Sequence, residues 1–156
     1  MGSSAAALGL WLSLAGAAAA DCTPGRVEFR GDKGPLAAFT VEVADTEALR
    51  ETGLMNREKM ASGAGMLFVY GSPGHPYFWM KNTLIPLDMV FIDVAGRVTR
   101  VHDMAIPGDL TPIDGGAGVQ YVLEIGGGLA ARLGIVEGAE MRSDKLDPDS
   151  AVWPCP

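Results

Sequence analysis

Turn residues cut the chain after residue 20 into short pieces, and most of those pieces are apolar or β-branched. Pieces of this kind ask for a sheet rather than long helices. The runs GRVEF (25–29), LAAFTVEVA (36–44), GMLFVY (65–70), YFWM (77–80), LDMVFID (87–93), RVTRVHDM (97–104) and VQYVLEI (119–125) read as strands, with AEMR (139–142) as a last one. Two segments change character. Asp45 or Thr46 can cap a helix through TEALRET that Gly53 ends, and GLAARLG (128–134) fits a second short helix. The expected fold class is mainly β (α+β): a compact, mainly antiparallel sheet curled into a small, partly closed barrel, with one or two short helices packed on it.

The first twenty residues carry no charge, run apolar from Ala5 to Leu14 and end in Ala18-Ala19-Ala20. They read as a signal peptide over residues 1–20 with an A-x-A cleavage site. The Leu-rich part falls short of the roughly 20 apolar residues that a spanning helix needs. Residues 21–156 then form a single domain, and this part holds all the charge, a net −7. An acidic domain without a basic stripe is a poor partner for nucleic acid or for anionic lipid. Cys22 and Cys155 stand near the two ends of this domain. In an oxidising compartment such a pair reads as a disulfide tying the termini. The expected location is periplasmic or secreted, the expected state a monomer, and the partner a small molecule or protein of the cell envelope.

FWMKNTLIPLDMVFID (78–93) sets Lys81, Asn82 and Thr83 between two apolar runs. Pro86 forbids a continuous ladder at its position unless the strand there is an edge or a bulge. The triplet therefore reads as a connection. DVAG (93–96) suits a three-residue hairpin loop, which would set Asp93 against Arg97, Ile92 against Val98, Val90 against Arg100 and Asp88 against His102. A two-residue turn at Ala95-Gly96 would instead set Asp88 against Asp103. The first register gathers Asp88, His102 and Arg100 on one face, with Lys81 pointing back toward Asp88. Such a network can merely satisfy buried polar groups and fix a register. Beside Trp79 and Tyr77 it can also bind a polar ligand or move protons.

GLMNREKM (53–60), GMLFVY, FWMKNT followed by IPLD, and YVLEIGGGLAARLGIVEG (121–138) resemble, in order and spacing, the domain of unknown function 192 family. The resemblance implies a compact, mainly β domain, commonly exported in bacteria, and brings no catalytic residue with it. The matching positions include Gly53, Leu54, Met55, Arg57, Met60 and Glu124, besides Phe78 to Thr83 and Pro86 to Asp88.

Other chemistries find less support. There is no GxSxG elbow for a nucleophile, and GGG at 126–128 lacks the lysine of a phosphate loop. A hydrolase would have to use Asp88, His102 or Glu124 as acid and base. Copper binding would draw on Met80, His102 and Met104, but the matching first ligand falls on Val69. The sequence therefore predicts a binding or interaction module without catalytic residues, metal or cofactor. Its ligand site would be formed by Arg57, Trp79, Lys81, Asn82, Asp88 and His102, roofed by the 105–118 loop. Lys81 would anchor an anionic or carbonyl group, and Trp79 would give a stacking face.

Overall fold

Every strand read from the sequence forms in the computed structural model, which describes residues 22–156. The leader expected at 1–20 lies outside the described residues. The strands are β1 (Arg26–Gly31), β2 (Gly34–Ala44), β3 (Ala64–Gly74), β4 (Tyr77–Phe78), β5 (Leu87–Asp93), β6 (Val98–Ala105), β7 (Ile113–Asp114), β8 (Val119–Gly126) and β9 (Glu140–Arg142). The helices are α1 (Glu47–Thr52) and α2 (Leu129–Leu133). Thr46 caps α1 by accepting the Leu49 N–H at 3.3 Å, and Gly53 ends it.

Seven strands join in the order β6-β5-β8-β3-β2-β1-β9, and β4 pairs with β7 in a second, two-stranded sheet. All pairs are antiparallel except β2 with β3. A parallel pair needs a crossover of about a dozen residues or more, and the segment carrying α1 supplies it. The sheet curls into a half-barrel whose edges meet at one end. There Val98 donates to Ala139 O at 2.8 Å, Gly138 donates to Val98 O at 2.8 Å, and Met141 donates to Gly96 O at 2.7 Å.

Strands β3, β5 and β8 bury both faces, which explains their nearly unbroken apolar runs. One face sends Leu67, Val90, Ile92, Leu123 and Ile125 into a core closed by α2. The opposite face sends Met66, Phe68, Met89, Phe91 and Val122 into a second core that includes Leu54 and Met80. Two buried acids stand on opposite faces of this sheet. Asp88 is paired with Ile125 and lies on the α2 side, whereas Glu124 is flanked by Met66 and Met89 on the other.

The hairpin turn forms as the sequence reads it, with Asp93 N–H donating to Arg97 O and Ile92 opposite Val98. Beyond that the register differs. A bulge at Thr99 sets Arg100 opposite Phe91 and His102 opposite Met89, and a second irregularity lies opposite Asp88. The expected Asp88–His102 facing pair is therefore absent, and so is the alternative pairing with Asp103. A one-residue slip moves every later side chain to the other face.

The terminal tie forms as expected: Cys22 and Cys155 are disulfide-bonded. The arm from Asp144 to Pro156 crosses the 93–96 turn, where Ser150 donates to Val94 O and Val152 to Ala95 O, before Trp153 reaches β1 and β9. Trp153 lies against the guanidinium groups of Arg30 and Arg142, 4.6 and 4.5 Å from its ring centre. Those arginines pair in turn with Glu140 and Glu28.

Candidate functional site

Lys81 to Thr83 form a turn, with Thr83 N–H donating to Met80 O at 3.1 Å and Asn82 in the left-handed region at φ 53°. Asn is among the few residues that tolerate this conformation. The turn does not point to Asp88. It forms one wall of a cleft of about 720 Å³ whose opposite wall is α1. The aromatic side is built by Phe68, Tyr70, Tyr77, Phe78 and Trp79, and Glu124 of β8 also lines it. Phe78 is fixed edge-on between Phe68 and Phe91, with ring centres 5.2 and 5.9 Å away.

Glu124 is 5% exposed and has neither a side-chain hydrogen bond nor an ion pair among the described residues. Burial pushes its carboxyl from the usual 4.5 up to about 8. It is therefore protonated at neutral pH and can donate a hydrogen bond. Tyr70 beside it is also pushed up, chiefly by burial. On α1, Arg50 donates to Val69 O at 2.9 Å and lies 5.0 Å over the Tyr70 ring. Lys81 Nζ stands 5.0 Å from the centre of the Trp79 ring. Neither cation has a carboxylate within ion-pair distance among the described residues.

The folded state favours protonated Glu124, so its contribution to stability is complete below pH 4.5 and is lost as pH rises towards about 8. Stability is expected to fall by roughly 2–3 kcal/mol between about pH 5 and about pH 7. Urea denaturation at the two pH values measures it, and Glu124→Gln should flatten the change. Glu28 and Glu42 are held low by hydrogen bonds from Arg142 and Arg57, and Asp109 and Asp114 by the backbone N–H of Thr111 and Gly116. Their contributions are lost only at lower pH.

Of the residues singled out in the sequence, Trp79, Lys81 and Asn82 line the cleft together. Arg57 lies beyond α1 and is paired through both guanidinium nitrogens with Glu42 at 2.7 Å. Asp88 is fully buried beneath α2, where it accepts the N–H groups of Met104, Gly128 and Ala130, each at 2.8 Å. His102 is separated from Glu124 by Met89. The 105–118 loop is no roof: it contains β7, and none of its residues lines the cleft. It packs behind the aromatic wall instead, where Gly108 donates to Met80 O and Met80 to Asp109 O.

Tyr77, read beside Trp79 in the sequence, also lines the cleft, whereas Arg50 and Tyr70 join the site only through the fold. Glu124 carried a visible signal, as the one charge in an apolar strand, but the sheet decides which face it takes.

Two solved structures resemble the chain. A protein of unknown function from Novosphingobium aromaticivorans is 40% identical, with a TM-score of 0.72, the match covering 74% of this chain and 82% of that one. A Sinorhizobium meliloti protein described as a candidate transcription regulator is 38% identical, with a TM-score of 0.73, covering 78% and 95%. No curated protein matches the chain. The model of the family described as DUF192, an uncharacterized ACR, matches residues 28–143. The chain belongs to the domain of unknown function 192 family.

Proposed function

We propose that the chain is an exported binding module whose ligand enters the cleft between α1 and the Trp79–Thr83 segment and reaches Glu124. The observation that carries this reading is Glu124 itself. No group of the described residues hydrogen-bonds its carboxyl, which meets only the cleft, and keeping an acid in so apolar a place costs stability unless a ligand uses it. The Cys22–Cys155 disulfide supports export, since such bonds persist in oxidising compartments. Regulation of transcription, the description given to the S. meliloti protein, is not carried over, because a net charge of −7 opposes contact with nucleic acid.

The raised pKa of Glu124 would also suit a general acid, which makes acid–base hydrolysis the second reading. It stays second because the cleft lining contains no His, Ser or Cys, and the Thr83 hydroxyl already donates to Lys81 O at 3.3 Å.

Glu124→Met tests the carrying observation. A methionine there would meet the apolar side chains of its cross-strand neighbours Met66 and Met89, and the melting temperature at neutral pH is expected to rise by about 3–8 °C. A fall would make Glu124 a structural group and remove the basis of the reading. Lys81→Met, lacking an ion pair to lose, should leave the melting temperature within about 2 °C of the parent.

A further inference from the structure

We infer, on the basis of the binding reading above, that the ligand is a small organic monoanion: its acceptor group meets Arg50, Tyr70 and Glu124, and a flat apolar body lies along Phe78 and Trp79. Three observations carry this. First, Arg50, Tyr70 and Lys81 give the cleft donors, and its two exposed carboxylates, Glu47 and Glu51, pair with neither cation among the described residues. Arg50 spends one guanidinium nitrogen on Val69 O and stacks on Tyr70, which aims its fork without neutralising it. Lys81 is likewise held over Trp79 without a counter-charge. This differs from Arg57 nearby, whose charge is met by Glu42.

Second, Glu124 at neutral pH is a donor to an acceptor group. An ammonium ligand that reached Glu124 would have to ionise it and lie beside Arg50, and the attraction of Glu47 and Glu51 is offset by Arg50 and Lys81. Third, the aromatic wall supplies flat apolar area, so an inorganic anion would leave it unused. Glu47 and Glu51 of α1 also line the cleft. Their charges work against ligands of high negative charge.

A pH dependence follows. From α1 the charged groups facing the cleft are Glu47, Arg50 and Glu51; from β3 and β4 the titratable groups are Tyr70 and Tyr77; Lys81 follows β4. The lateral neighbours Met66 and Met89 carry no charge. As pH rises through about 8, Glu124 exchanges a donor for a negative charge, and anion affinity should drop.

The experiment titrates the whole exported chain with benzoate, benzylammonium and inorganic phosphate, following the Trp79 indole N–H and the backbone amides of 50–55 by NMR. The expected result is a benzoate response at those positions, weaker by more than about tenfold at pH 9.5 than at pH 6.5. Glu124→Gln, which keeps a donor, should remove most of that pH dependence. Arg50→Gln and Lys81→Met should each weaken benzoate; Lys81→Met keeps the test decisive if the Arg50 variant fails to fold.

Benzylammonium binding at the same resonances, tightening with pH, would overturn the anion inference while leaving the cleft as a binding site. Phosphate binding in preference to benzoate would overturn the apolar body. No response to any probe would overturn both the inference and the binding reading.

Discussion

Replacing Asp88 with alanine is expected to destabilise the protein by about 3–6 kcal/mol. The carboxyl is fully buried, and its two oxygens accept three backbone N–H groups from two different elements. Gly128 and Ala130 belong to the first turn of α2, which has no side-chain cap of its own. Met104 stands at the irregular end of β6 with φ 52°, a conformation an unbranched side chain rarely adopts without support. Asp88 thus fixes α2 to the sheet and holds the β6 backbone in place. Alanine would orphan all three donors, each at a cost of about 1–3 kcal/mol. Asparagine keeps one acceptor oxygen but sets an amide N–H against a backbone N–H, so its loss should be intermediate. Urea denaturation of the two variants reads the difference. Because Asp88 lies across the sheet from Glu124, neither variant, studied at a temperature where it is folded, should change the response of Trp79 to benzoate.

Opening the Cys22–Cys155 bond is expected to cost about 5 kcal/mol, the chain-entropy figure for so long a loop. The bridge closes a separation of 133 residues. It does not act alone. Leu146 is buried in the core, Tyr121 donates to Lys145 O at 3.3 Å, and Trp153 lies against two arginines. These contacts should keep the arm in place in the reduced, folded protein, so that the loss falls on the denatured state. Cys22→Ser/Cys155→Ser should therefore lower the urea midpoint strongly while leaving Trp153 fluorescence native-like at low denaturant. A midpoint unchanged from the parent would mean that the arm alone ties the termini.

The strands and both helices were legible because their signals are local: β-branched runs bounded by turn residues, Thr46 before α1 and Gly53 after it. The turn at 93–96 was legible for the same reason. What followed it was not. Thr99 is neither Gly nor Asn, and nothing in its neighbourhood marks a bulge, yet that one extra residue removed His102 from the position opposite Asp88. Lys81 and Asp88 seemed to call for each other because each is a charge set in an apolar run. The alternation of the sheet puts Asp88 beneath α2, and the turn at 81–83 faces α1. Trp79, Lys81 and Asn82 were found together because they are neighbours in sequence. Arg50 was legible only as a helix former, since its place over Tyr70 depends on how the parallel crossover packs. The 105–118 loop was visible as a long excursion, but its short β7 pairing with β4 had no signal beyond two residues.

The most direct test of the account is the titration of the Glu124 carboxyl itself, followed by carbon-13 NMR in glutamate-labelled protein and assigned by its loss in Glu124→Gln. The expected midpoint is about 8, moved higher still when benzoate is present. A midpoint near the ordinary 4.5, unmoved by benzoate, would make Glu124 a hydrated or partnered carboxylate, and the proposed binding would lose the buried acid on which it rests.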